Sequence, residues 1–159
     1  TTLAVEDQIT ITQSTIDTLN LSASACINLS KAPIANGGSG LIIKIGSAAP
    51  VTQYNTVYFT SAGSWDNTDA DSAEFAMGMI GYTLGTSSTT NGVMLQGTIY
   101  KASHGFSIGA PLFLSTAPGQ MTTTAPTGGG DIIRVVGYAI STSQIYFDPA
   151  KTWVEKATP

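Results

Sequence analysis

Met79-Ile80-Gly81-Tyr82-Thr83-Leu84 and Val135-Val136-Gly137-Tyr138-Ala139-Ile140 follow one pattern, 56 positions apart. Upstream of them, Val57-Tyr58-Phe59-Thr60-Ser61-Ala62 and Leu112-Phe113-Leu114-Ser115-Thr116-Ala117 match in character at a separation of 55. Each copy then ends in another apolar run, Val93-Met94-Leu95 in the first and Ile145-Tyr146-Phe147 in the second. A self-similar period of this length predicts two copies of a strand–loop–strand–turn–strand unit. Neither copy could bury its apolar face alone, so the two are expected to pack together as a small β-barrel or sandwich. Gly81 and Gly137 fall inside strands, where a bulge or a tight corner is expected.

Working outward, the apolar period is two almost everywhere, which marks strands with one buried face. Leu41-Ile42-Ile43-Lys44-Ile45, Thr56-Val57-Tyr58-Phe59, Met77 to Leu84, Val93 to Tyr100, Pro111-Leu112-Phe113-Leu114, Ile132 to Ile140 and Gln144-Ile145-Tyr146-Phe147 are the predicted strands. They are short, rich in β-branched and aromatic residues, and bounded by Gly, Pro, Asn or Ser/Thr. Asp69 to Met77, the one stretch with helical character, is too short for more than a turn. The chain reads as all-β.

At the N-terminus Ile9 and Ile11 alternate with threonines, and Leu19, Leu21, Ala23, Ala25, Ile27 and Leu29 continue on the same odd-numbered parity. Fully extended, residues 9–29 would span ~70 Å, longer than a small domain is wide. This segment either folds into hairpins or forms an arm reaching beyond its own body. Ala35-Asn36-Gly37-Gly38-Ser39-Gly40 has the composition of a flexible joint. The expected organisation is an extended N-terminal β arm or small β subdomain over 1–36, then a barrel or sandwich over 37–159. The pseudo-repeats fall at about 50–100 and 105–150.

The chain has 159 residues, of which six are basic and ten acidic, with a net charge of −4. It is long enough to bury roughly 68–70% of its unfolded surface without disulfide or metal. One cysteine, Cys26, rules out an internal disulfide framework, and its place on the apolar parity reads as a buried structural thiol. No apolar run reaches the ~18 residues of a membrane span, and no secretory leader pattern opens the chain. The expectation is a soluble, folded and mature protein. A pI near 4.6 offers phosphates no positive field. Lys31, Lys44, Lys101, Arg134, Lys151 and Lys156 form no stripe, so neither nucleic acid nor an anionic membrane is an expected partner.

Candidate chemistry is sparse. The only histidine, His104, lies in the turn-like Ala102-Ser103-His104-Gly105-Phe106, with no nucleophile elbow, S-x-x-K or Cys/His arrangement. It reads as a satisfied or exposed loop histidine. Asp66-Asn67-Thr68-Asp69-Ala70-Asp71-Ser72-Ala73-Glu74 offers hard oxygen ligands for Ca²⁺, but lacks the glycine and glutamate placement of an EF-hand loop. An exposed charged turn is the expectation, and a glycosidase pair Asp66/Glu74 has nothing specific to support it. Thr122 to Gly130 reads as a long surface loop without phosphate-loop spacing. Trp65 and Trp153 are equally suited to an interface and to a core. No cofactor is expected, and the pattern favours a structural or binding module over an enzyme.

Thr56 to Gly63, Met79-Ile80-Gly81-Tyr82, Pro111 to Thr127, Val135-Val136-Gly137-Tyr138-Ala139 and Ile145-Tyr146-Phe147-Asp148-Pro149 together resemble a β-rich module of virion proteins of tailed phages, particularly cyanophages and marine phages. The first half also resembles the small β-barrel of phage capsid decoration proteins. The resemblance spans about residues 50 to 153 and leaves residues 1–36 outside. Asp148 departs from the asparagine expected there. Such modules occur in capsid cement proteins and at the ends of tail fibres or neck appendages. The resemblance does not choose between these settings, but this chain has no shaft repeat or heptad, so the expectation is a cement protein on the capsid exterior. It would clamp neighbouring capsomers of the major capsid protein as a homo-oligomer, with a trimer favoured; a host-adhesion module is the alternative. The expected interface residues are Ile9, Ile11, Leu19, Leu21, Ile27, Leu29 and Trp153.

Overall fold

The structure, a computed structural model, describes residues 37–47 and 50–158. The strands are β1 (Gly38–Ile43), β2 (Thr56–Phe59), β3 (Trp65–Asn67), β4 (Ile80–Thr83), β5 (Val93–Tyr100), β6 (Pro111–Leu114), β7 (Met121–Thr122), β8 (Ile132–Ile133), β9 (Val135–Ala139), β10 (Gln144–Phe147) and β11 (Val154–Glu155). Among the described residues a single short helix, α1 (Ala73–Met77), interrupts them. The chain is all-β, as its period predicts. The main sheet runs β3-β2-β4-β5-β10-β9-β6-β7, every pairing antiparallel, with β1 also paired to β5. The sheet curls into a half-barrel, and β8 and β11 form a separate two-stranded ribbon.

That strand order reads the same from either end, which is the duplication made physical. Thr56 pairs with Tyr82 and Val57 with Gly81 in the first copy; Pro111 pairs with Tyr138 and Leu112 with Gly137 in the second. Phe59 opposite Trp65 corresponds to Leu114 opposite Met121. The separation grows from 55 to 56 inside the first hairpin turn. There Thr60 donates its amide to the carbonyl of Ser64, whereas Ser115 reaches one residue further, to Gln120. Pro118 is the added residue, and Gly63 and Gly119 supply the positive φ (74° and 73°) that each turn needs. The copies join where β10 pairs with β5, from Gln144 opposite Tyr100 to Phe147 opposite Gly97.

Gly81 and Gly137 owe their place to close approach more than to a common bulge. A Cβ on Gly81 would clash with Val93 and one on Gly137 with the carbonyl of Tyr146. Only the second copy carries a bulge there, between Leu112 and Phe113 in its pairing with β9. The glycine-rich joint also differs from expectation. Gly38-Ser39-Gly40 belong to β1, because Gly40 faces Gly97 across the ladder at a distance that leaves no room for side chains.

The main core combines Tyr58, Ile80, Tyr82, Leu84, Met94 and Ile99 from the first copy with Leu112, Leu114, Val136, Ile145 and Phe147 from the second. A satellite core of Val57, Trp65 and Val93, flanked by Ile43, Val51, Phe59 and Leu95, lies on the opposite face of the first copy alone. Strand residues of both parities are therefore buried in that copy, Val57 against one core and Tyr58 against the other. The half-barrel closes along a polar seam. Thr56 donates its amide to the Gly119 carbonyl (2.9 Å), Gly119 to Thr68 (2.8 Å) and Ala70 to Ser115 (3.0 Å). Side chains complete the seam: Asn55 Nδ2 donates to Asn67 Oδ1 (2.9 Å), Gln120 Nε2 to Asn55 Oδ1 (3.3 Å), and the Thr56 and Thr68 hydroxyls share a 2.6 Å bond.

Candidate interface

One β-bulge decides which surfaces meet solvent. In the pairing of β1 with β5, Leu41 lies opposite Gln96 and Ile42 opposite Met94, so Leu95 is an extra residue in β5. An inserted residue reverses the side-chain parity beyond it. Met94 and Ile99, of opposite parity, thus both enter the main core, while Val93 serves the satellite core. The second copy is presented to the core by its other face. Tyr82, Leu84 and Met94 are buried, but their counterparts Tyr138, Ile140 and Tyr146 lie on the outside. Tyr138 and Ile140 are each 46% exposed, and Ile108, one residue before the Gly109 amide that bonds Ala139, is 64% exposed.

The exposed face is a continuous cross-strand row. Pro111 lies opposite Tyr138, Tyr138 opposite Tyr146, Tyr146 opposite Thr98, and Thr98 opposite Ser39, crossing five strands. Tyrosine suits such a surface because its ring supplies apolar area and its hydroxyl keeps a hydrogen-bonding handle. Beside the row, Gln96 Nε2 donates to Asp148 Oδ1 (3.2 Å) and to the Tyr146 hydroxyl (3.4 Å). Asp148 thus holds the edge of this face.

Trp153, expected at an interface, sits 37% exposed with its ring 5.5 Å from the Arg134 guanidinium. Arg134 is itself buried. Its Nε donates to the Ala150 carbonyl (2.8 Å) and its Nη1 to those of Ala76 (2.7 Å) and Gly78 (2.9 Å). Burial pushes the guanidinium below its ordinary pKa, and the charge is held by carbonyl dipoles at the end of α1. Met77, Met79 and Val154 are also exposed in the segments this arginine ties together. Ile9, Ile11, Leu19, Leu21, Ile27 and Leu29, together with Cys26, lie outside the described residues.

The remaining candidates are accounted for locally. Trp65 belongs to the satellite core, with its Nε1 donating to the Ile45 carbonyl (3.0 Å). His104 takes the amide of Phe106 on Nδ1 (3.0 Å) and bonds the Ser141 carbonyl through Nε2 (2.7 Å), the pattern of a neutral, satisfied ring. In the acidic loop, Asp66 lines a depression of about 70 Å³ with Pro50, Val51, Thr52, Val57, Trp65 and Asn67, but not Glu74. No group of three or more metal-ligating side chains occurs among the described residues. The Thr122–Gly130 loop forms one wall of an open depression of about 380 Å³, lined by hydroxyls of Ser115, Thr116, Thr122, Thr124 and Thr127 and by Asp131. No protein-family model matches the chain, and no curated protein matches it either.

The sequence contained the face residues as strand positions without marking them as an interface. Comparing the copies would have assigned Tyr138 and Ile140 to the core, by analogy with Tyr82 and Leu84. The one clue to the contrary was the charge-poor surface budget of a chain with 42% hydrophobic residues.

Proposed function

We propose that the protein is a virion structural protein of the capsid cement type. It binds the outer surface of a shell built from the major capsid protein and resists separation of neighbouring capsomers. The observation that carries this reading is an exposed aromatic sheet face on a body with two copies tied by one core and one hydrogen-bonded seam. Such a body transmits force between whatever it touches. Contacts of standard size bury about 1,600 Å², and an oligomer gripping several capsomers gains further through effective concentration. The alternating segment 9–29 suits addition of a strand to an edge on a neighbour, with main-chain bonds giving affinity and odd-parity side chains giving register. The resemblance to virion modules of tailed phages supports the same setting.

The test is location and binding. The protein is expected to co-sediment with undecorated shells and to raise their resistance to heat, and electron microscopy of intact particles should show it on the shell. Density confined to the tail, with no shell binding, would reject the reading. The hydroxyl-lined depression beside Asp131 supports a second one, a tail-fibre or neck-appendage module binding host glycans. That reading predicts binding on a glycan array that is lost when Asp131 is replaced by alanine.

A further inference from the structure

The outer faces of the two copies differ in one respect that nothing above explains. In the first copy, Ile43 and Val51 flank the outer face and help bury Val57, Trp65 and Val93 beneath the satellite core. In the second copy, no described segment does this for Tyr138, Ile140 and Tyr146, although Tyr138 and Tyr146 form a continuous row with Pro111 and Ile140 lies exposed two residues beyond Tyr138. We infer that this bare face is the seat for residues 9–29 of a second copy of the chain, exchanged between subunits to close a ring. The inference rests on the proposed reading in one respect, that the N-terminal segment reaches beyond its own body.

Charge, pattern and length argue for this occupant. Ile108, Pro111, Tyr138, Ile140 and Tyr146 carry no charge, and residues 8–30 contain one charged side chain, Asp17. Bringing the two together involves only Asp17 of the segment and Asp148 at the edge of the face, so few ions have to leave water. The odd-numbered Ile9, Ile11, Leu19, Leu21, Ile27 and Leu29 supply one apolar side. The even-numbered Thr10, Thr12, Thr18, Asn20, Ser22 and Ser24 supply the opposite, polar side, suited to solvent once the odd side is seated.

The segment joins the body at Gly37, whose carbonyl accepts the Tyr100 amide, next to the Ser39 end of the exposed row. A body of this size is about 35 Å across, and residues 9–29 extended span ~70 Å. A segment leaving from that edge overshoots its own face and meets a neighbour's. Each subunit then offers one arm and one seat. Such a head-to-tail contact closes into a ring when the rotation permits, a trimer in the proposed setting.

Sedimentation of the purified protein, without shells, tests this. The full chain is expected to run as a trimer. The truncated chain 31–159, which keeps the seat but lacks the arm, should run as a monomer. So should Tyr138→Ser/Ile140→Ser, which keeps the arm but lacks the seat, with Ile108→Glu as a second face variant should the first lose its far-UV spectrum. Mixing the truncated chain with the face variant supplies one arm and one seat, and should give a one-to-one complex. A monomeric full chain, variants that remain trimeric, or no complex on mixing would each overturn the inference. Shell binding is measured separately, so a monomeric full chain that still binds shells would fault this inference alone.

Discussion

Tyr54 and Gly109 occupy equivalent places in the two copies, and both have positive φ, 67° and 82°. Each donates its amide to the same partner position, the carbonyl of Thr83 or of Ala139. An L side chain in this region costs roughly 1–2 kcal/mol. Tyr54 bears that cost because its ring packs on the main core, 6.5 Å from Tyr82. At Gly109 an added Cβ would meet nothing within 4 Å, so Gly109→Ala isolates the backbone effect. It should lower unfolding free energy in urea by about 1 kcal/mol; no change would mean that the loop relaxes. Tyr82 makes the opposite case. Its hydroxyl is buried with no hydrogen-bond partner among the described residues, and burial, with a smaller contribution from Tyr54, drives its pKa upward. Tyr82→Phe removes the orphan and keeps the ring contact with Phe147 at 5.7 Å. Stability should rise by about 1 kcal/mol, and a loss of that size would reveal a partner for the hydroxyl.

At the scale of elements, the strands that carried a period-two pattern, β2, β4, β5, β6, β9 and β10, fall within the stretches expected from the sequence. The short β3, β7 and β11 were not legible, because two or three residues cannot show a period. Nor was the outward turn of Tyr138, since it follows from the extra residue Leu95, and an apolar leucine in an apolar strand gives no sign of a bulge. The burial of Arg134 was hidden for a related reason: its acceptors are backbone carbonyls from residues 76, 78 and 150, which have no side-chain signature. The acidic loop was legible as an exposed turn, yet Asp69 within it is only half-exposed. Burial foremost, then Asp71 and Asp131, raise its carboxyl above the usual range, against an opposing hydrogen bond from the Asp71 amide (3.3 Å). The folded state therefore holds this proton more tightly than the unfolded chain. The associated stability is present below the ordinary carboxylate pKa and is lost as pH rises through the folded value. Asp69→Asn keeps the acceptor oxygen and removes the charge. Its melting temperature should exceed the parent's at neutral pH, with the gap closing near pH 3; a gap independent of pH would contradict this origin.

For the whole molecule, the question is whether either copy stands alone. The seam stakes both on one network. Asn55 is buried and bonds Asn67 and Gln120, which belong to different copies. Asn55→Ala should therefore cost about 1–3 kcal/mol in urea while leaving far-UV signals intact, and a smaller effect would mean that water replaces the side chain. The core makes the stronger demand. Tyr58, Ile80 and Met94 from one copy close on Leu112, Val136 and Phe147 from the other. A chain of about 60 residues buries only about 60% of its unfolded surface even when its core is complete. Residues 37–104 and 105–158, expressed separately, would each leave half of this core in water. The two are not equally poor, because the satellite core of Val57, Trp65 and Val93 lies wholly within the first. The first fragment should retain a collapsed state with weak sheet signal, the second should be a coil, and mixing them should restore a dispersed amide spectrum and a cooperative melt. If the second fragment folded by itself, the duplication would be two domains in contact, and the rigidity that the proposed clamp requires would have to come from elsewhere.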